Sequence, residues 1–268
     1  MNQIVAKGLD LSHWNGPVDF AAAKKEGFSY VMLKAGGADA GYYKDSQFEK
    51  YYADAVAAGF GVGAYYFNGK TFAGAAQGVL EAKKFIQLIA GKKFDYPVAA
   101  DVEAVPVSAG RKAITDATLA FLQTLEAAGY FASVYASDVS GFQSRLDDAR
   151  LAAFDHWVAR YNTAGPQVVK SYGMWQYGGS TNYIRTAKVS GVSSAACDQN
   201  YAYKDYPAII KGAGLNGFAK NEGTSVKEPT APPAVALYTL KIGPMSVGDK
   251  NTLEAKAKAL GIPVSEGG

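Results

Sequence analysis

Between residues 4 and 135 the chain carries five short apolar runs separated by four helical periods. No other feature restricts the fold as strongly. The apolar runs are Ile4–Leu11, Tyr30–Lys34, Gly61–Phe67, Tyr96–Val102 and Phe131–Tyr135. The first helical stretch is Asp19–Lys25, closed by Gly27. The second is capped by Ser46, carries Phe48, Tyr51, Tyr52, Ala55 and Val56 at helical spacing, and ends at Gly59. The third is Ala75–Ile89. The fourth starts at Thr115 or Asp116 and runs through Leu119, Leu122 and Leu125 to Gly129. Repeated β-α units imply parallel strands joined by right-handed crossovers. Tyr96–Val102 is apolar almost throughout, as expected of a strand covered on both faces.

Past residue 135 the helices thin out, and His156–Tyr161, Gly173–Tyr177 and Ala195–Asn200 read as three more strands. Eight strands with five regular and three degenerate units predict an α/β fold, a closed TIM-like (β/α)5(β)3 barrel. An open doubly wound sheet is the alternative. It needs a Gly-rich phosphate loop after the first strand, and the chain there reads Asp10-Leu11-Ser12-His13-Trp14-Asn15-Gly16. The barrel is expected over residues 1–212 and a linker over 213–236, where 219–236 is rich in Pro, Gly, Ser, Thr and charge. Residues 237–268 read as a small C-terminal βα(β) module. A piece this short cannot bury a stable core alone, so it either docks, self-associates or belongs to something longer.

Composition narrows the function. One cysteine in 268 residues excludes an intramolecular disulfide framework and a cysteine-based zinc site. Two histidines, His13 and His156, are too few for most His-rich metal centres. The net charge of +3 is spread along the chain and leaves no footprint for nucleic acid. No apolar run is long enough to span a membrane, and Met1–Asp10 lacks the pattern of a secretory signal.

In a parallel barrel the chemistry sits at the C-terminal ends of the strands. The polar residues expected there are Asp10, Lys34, Tyr65 and Tyr66, Asp101 and Glu103, Tyr135, Trp175 and Gln176, and Asp198. Asp101-Val102-Glu103 is the sharpest signal. Residues i and i+2 of a strand point the same way, and two carboxylates on one face do not both ionise freely. A proton retained on such a pair supplies a general acid beside a charged stabiliser, the equipment of glycoside hydrolysis. Asp10 reads either as part of this rim or as a turn cap. If Asp198 faces the mouth, Cys197 faces the shell and is a small buried hydrophobe. Trp157 and Phe67 are expected between barrel and shell. Aromatic rings near the strand tops suit the C–H faces of sugars, with packing as their other reading.

Read in order, Gly8-Leu9-Asp10-Leu11-Ser12, Tyr30-Val31-Met32-Leu33-Lys34-Ala35, Gly61–Phe67, Asp101-Val102-Glu103, Trp157–Tyr161, Trp175-Gln176-Tyr177 and Cys197–Asn200 resemble glycoside hydrolase family 25, the Chalaropsis-type lysozymes frequent among phage endolysins. The resemblance covers about residues 3–210. It implies a (β/α)5(β)3 barrel that cleaves the β-1,4 bond between N-acetylmuramic acid and N-acetylglucosamine in peptidoglycan, without metal or organic cofactor. On this analogy Glu103 is the acid and later the base. Asp101 either orients the substrate's 2-acetamido group as it attacks or acts as nucleophile; both routes retain configuration. Asp10 and Asp198 shape the acidic floor, and Lys34, Tyr65, Tyr66, Tyr135 and Trp175 hold sugar rings or orient carboxylates. Two departures bear on the subsites. The family often reads Lys-Ala-Thr-Glu-Gly where this chain has Lys34-Ala35-Gly36-Gly37, and a histidine where it has Tyr66. The C-terminal piece loosely resembles half of a sporulation-related peptidoglycan-binding module. A phage enzyme of this kind would be made in the cytoplasm and reach the wall through a holin-made lesion. A non-catalytic wall-binding barrel is the competing reading.

Overall fold

The structure is a computed structural model that describes residues 3–179 and 188–220. The chain divides into two compact units, Met1–Glu228 and Pro229–Gly268; the expected C-terminal module lies outside the described residues. In the first unit the strands are β1 (Ala6–Leu11), β2 (Tyr30–Gly37), β3 (Tyr43–Lys44), β4 (Gly61–Phe67), β5 (Val98–Asp101), β6 (Ala132–Ser137), β7 (Asp155–Ala159), β8 (Met174–Gly178) and β9 (Asp198–Ala202). The helices are α1 (Phe20–Lys25), α2 (Phe48–Ala57), α3 (Ala75–Ile89), α4 (Arg111–Ala127), α5 (Asp148–Leu151) and α6 (Tyr206–Ala213).

Eight strands close into a barrel in the order β1-β2-β4-β5-β6-β7-β8-β9, with β9 returning to β1. The neighbours from β1 to β8 pair in parallel, and β9 runs antiparallel to both β8 and β1. The expected eight-stranded α/β barrel is therefore the fold. Two details differ. The short β3 pairs antiparallel with the end of β2, outside the barrel. The eighth barrel strand is reversed, so Asp198 stands at its start, and reversal puts that start on the rim where the other strands end.

Alternate residues sort into two cores. Leu9, Val31, Leu33, Val62, Ala64, Ala100 and Val134 point outward to meet α2, α3 and α4. Cys197 belongs to this outer core, as expected. Tyr30, Met32, Tyr65, Ala99, Tyr135, Trp157, Met174 and Ala202 fill the interior. Removing each large side chain from water contributes about 1.5–3 kcal/mol. The barrel is filled below the rim because large residues oppose absent ones: a Cβ on Gly8 would lie 2.3 Å from the Tyr30 ring, and one on Gly63 would lie 2.4 Å from Met32 Sδ. Tyr30 stacks on Tyr96 at 4.2 Å, and Tyr96 meets Tyr206 of α6 at 5.5 Å, which plugs the bottom.

Three local expectations need correction. Gln47, not Ser46, precedes α2, and the Gln47 N–H is accepted by Asp45 Oδ1 at 2.9 Å. Helix α4 begins at Arg111 after Gly110, so Thr115 is a buried interior residue whose hydroxyl bonds back to the Arg111 carbonyl at 2.8 Å. The fold also continues past residue 212. Asn216, in a left-handed conformation (φ 55°), is fully buried. Its amide donates to the carbonyls of Phe94 and Tyr96, and its Oδ1 accepts from Phe131 N at 2.7 Å. The expected linker therefore gives way to folded chain at least to this residue. No helix among the described residues is long and apolar enough to cross a membrane.

Gly8→Ala should destabilise the protein by about 1–3 kcal/mol, because the Tyr30 ring has no room to retreat in a packed interior. Urea unfolding checks this: the midpoint should fall with an unchanged slope.

Candidate active site

The barrel opens into a cleft of about 270 Å³ whose lining includes Asp10, Lys34, Asp101, Glu103 and Asp198. Each reaches it by the alternation of its strand. Asp10 follows Gly8 on the inner face of β1, Lys34 follows Met32 on β2, and Asp101 follows Ala99 on β5. Strand β5 ends at Asp101, but Val102 N still bonds to Tyr135 O at 3.0 Å, so Glu103 leaves the rim along the strand direction.

Asp10 is the best-held carboxylate. Its Oδ2 accepts from Asn200 Nδ2 at 2.7 Å and Gln176 Nε2 at 3.0 Å. Both amides are oriented from behind. Trp157 Nε1 donates to Asn200 Oδ1 at 2.8 Å, and the hydroxyls of Tyr135 and Tyr161 donate to Gln176 Oε1 at 2.8 and 3.1 Å. Tyr161 also lies 3.1 Å from Asp198 Oδ1, which ties the second floor acid to the same network. Asp101 differs. It is buried, yet its Oδ1 has no hydrogen-bond partner.

Four acids in one concavity perturb one another. Burial holds Asp10 well above the usual carboxylate range, the charge of Asp198 adds to this, and the two amide bonds oppose it. Burial likewise raises Asp101 strongly, with Glu103 adding and Lys34 opposing. Glu103 is accessible at the wall, but its concave setting desolvates it and Asp198 repels its charge, so its carboxyl is also raised; Lys34 and Arg145 pull it back. Burial raises Asp198, and its bond from Tyr161 lowers it. The cluster therefore holds protons at a pH where isolated carboxylates have lost them. Lys34, itself buried, sits 4.1 Å above the Phe67 ring and 5.6 Å from that of Tyr43, a cation–π setting beside the acids.

Tyr65 and Tyr135 line the cleft. Two other expected substrate contacts are elsewhere. Tyr66 points outward, packs on Phe85 and Phe121, and is only 1% exposed. Trp175 also faces out, against Tyr177 and Tyr201, with its indole N–H on the Arg160 carbonyl at 2.8 Å. Neighbouring residues of a strand face opposite ways, so Tyr65 and Gln176 occupy the inner positions. Conversely, Trp157 and Phe67, expected in the shell, line the cleft.

Trp14, one of the aromatics expected near the strand tops, stands at the cleft edge, and Asp39, which the sequence did not single out, joins the lining. Trp14 is 78% exposed at the cleft edge, presented by the turn His13–Asn15. That turn is fastened by Ser12 N donating to Asn15 Oδ1 at 2.8 Å and by His13 Nδ1 at 2.7 Å from the buried Asp45. The His13 ring lies 4.5 Å from that of Trp14. Asp39 reaches the cleft from the loop before β3 and accepts from Tyr43 OH at 2.8 Å. Nothing local in the sequence marked Asp39.

Comparison with known proteins supports a common origin for this architecture. The chain is 28% identical over 190 residues to the autolytic lysozyme of Clostridium acetobutylicum, covering 71% of this chain and 54% of that protein. It is 27% identical over 201 residues to lysozyme M1 of Streptomyces globisporus, covering 70% and 64%. The chain thus spans between half and two thirds of these relatives' lengths. The crystal structure of the CTP1L endolysin superposes with a TM-score of 0.64 at 31% identity, covering 78% of this chain and 70% of that one. The family model for glycosyl hydrolases family 25 matches residues 9–185, and with this barrel and this acidic rim the chain belongs to that family.

Proposed function

We propose that this chain is a muramidase that hydrolyses the β-1,4 bond between N-acetylmuramic acid and N-acetylglucosamine in bacterial peptidoglycan, with retained configuration. The observation that carries the reading is the unequal pair at the end of β5: a buried Asp101 with an unpartnered oxygen, and an accessible Glu103 whose carboxyl is raised by its concave setting and the charge of Asp198. Glu103 gives its proton to the glycosidic oxygen and then takes one from the attacking water. Asp101 faces the anomeric centre. Its free Oδ1 suits the N–H of the 2-acetamido group, whose own oxygen then attacks the anomeric carbon. Direct attack by Asp101 is the other retaining route. Asp10 and Asp198 keep the floor negative as positive charge develops on the sugar. Lys34 keeps Asp101 from holding its proton too tightly.

Purified peptidoglycan is the test substrate, read by new reducing ends and product mass. The wild type should release products ending in muramic acid, and Glu103→Gln should lower the rate about 10²–10⁴-fold. Wall binding with no new reducing ends from the wild type would instead leave a binding barrel.

Activity should fall as pH rises through the raised carboxyl of Glu103, since the acid must carry its proton. Lys34 lowers both Glu103 and Asp101, so Lys34→Met should move the alkaline limb of kcat/KM to higher pH. A limb that stays in place would remove Glu103 and Asp101 as its source.

Trp14 offers an open ring face at the cleft edge. Trp14→Ala should raise KM about 3–10-fold with kcat nearly unchanged, the size of one aromatic contact. Steady-state kinetics on soluble glycan strands separates the two constants.

A further inference from the structure

Beside the acidic cleft lies a second, larger pocket of about 660 Å³. Glu103 and Tyr135 line both. The two cavities therefore meet at the residue assigned as general acid. A general acid works at the scissile oxygen, between the two halves of its substrate. With the sugar that undergoes attack seated over Asp101, the second pocket receives the leaving half.

The charge of this pocket is different. The cleft is lined by Asp10, Asp39, Asp101 and Asp198, whereas the second pocket presents the guanidinium of Arg160. Asp138 also borders it, but that carboxylate is fully buried and already accepts the backbone N–H of Gln167 at 2.7 Å, Val168 at 3.1 Å and Val169 at 3.0 Å. Arg160 Nη1 stands 3.8 Å from Asp138, too far for a hydrogen bond. Its Nη2 donates to Gln167 Oε1 at 3.0 Å, and the side chain is 29% exposed. The backbone of Arg160 is fixed on both sides, its N–H on Gln176 O at 3.0 Å and its carbonyl under Trp175 Nε1. A guanidinium on a rigid base, with N–H groups left over and an accessible face, is a receptor for a planar anion.

We infer that Arg160 binds a carboxylate on the leaving half of the substrate. In peptidoglycan such a group belongs to the peptide stem of the next muramyl residue along the glycan. This deepens the muramidase reading and rests on it. Arg160 is then a specificity residue, which makes the enzyme prefer peptide-bearing glycan to bare glycan.

The test compares two substrates made from one preparation: intact peptidoglycan, and the same glycan strands freed of stems by an amidase, with the lactyl carboxylates this exposes capped as methyl amides. Arg160→Gln should lose about tenfold in kcat/KM on the peptide-bearing strands, the weight of one charge-assisted hydrogen bond at a partly exposed site. It should cut bare strands as the wild type does. Arg160→Lys should retain part of the preference, and that part should fade with added salt. Equal losses on both substrates would show that Arg160 only braces the Gln167 loop and would overturn the inference, as would no loss on either. A wild type that cuts neither substrate would overturn the muramidase reading itself.

Discussion

Strand β9 runs against its neighbours and bonds to both β1 and β8, and this one reversed strand sets the chemistry of the rim. Its register places Asn200 opposite Gly8 and Gln176, and Asp198 opposite Asp10. The amide of Asn200 reaches Asp10 from the adjacent β9, and that of Gln176 reaches it from β8, one strand further round. The two amides make a buried carboxylate tolerable. Each amide is in turn held in one orientation, because its oxygen is already taken by Trp157, Tyr135 or Tyr161. The inner aromatics thus serve twice: they fill the barrel, and their polar edges aim the groups that hold Asp10.

The arrangement costs stability, and the sign can be worked out. Asp10, Asp101, Glu103 and Asp198 all have carboxyls raised in the folded chain. The folded state therefore binds these protons more tightly than the unfolded one, and the stability this gives is fully present below the ordinary carboxylate range. It is lost as pH rises through the raised values. A barrel tuned for stability alone would not gather four acids at its mouth. The packed interior below them and the continuous outer core offset that cost.

How much of this the sequence disclosed depends on the kind of pattern. The β-α alternation was legible because helices with one buried face have a clear period, and α3 falls on Ala75–Ile89 as its pattern predicts. Parallel strands buried on both faces are apolar on both, so the sequence does not say which residue of a pair looks inward. Tyr65 and Tyr66 differ by one position, and only the register of Tyr65 with Ala99 tells them apart. Trp175 misled for the same reason; its larger ring marks the outer face of β8, and the plainer Gln176 holds the site. The acids were legible because a carboxylate inside an apolar strand has few structural uses. Asp39 was not, since loops place side chains by turns and tertiary bonds rather than by a period; the turn that presents Trp14 is likewise held by a bond from His13 to Asp45, far apart in sequence.

In the proposed cleavage, the division of labour between Asp101 and Glu103 rests on solvent access rather than on acidity alone. In a retaining cleavage one group must give up a proton, meet a water molecule and take a proton back. It needs contact with the solvent path, and Glu103 on the accessible wall has it. The other group faces the anomeric carbon, where water would intercept the intermediate too early. Asp101 is sealed there, with Val102 at its back in the outer core and the aromatic floor of Tyr65, Tyr135 and Trp157 alongside. Exchanging the two positions would put a wet carboxylate under the sugar and a dry one beside the leaving oxygen. The first would lose the charge stabilisation that exclusion of water strengthens, and the second could not be reprotonated between turnovers. Only Val102 separates the two in sequence, but the end of β5 falls between them, and that strand end is what gives one carboxylate to the protein interior and the other to the solvent.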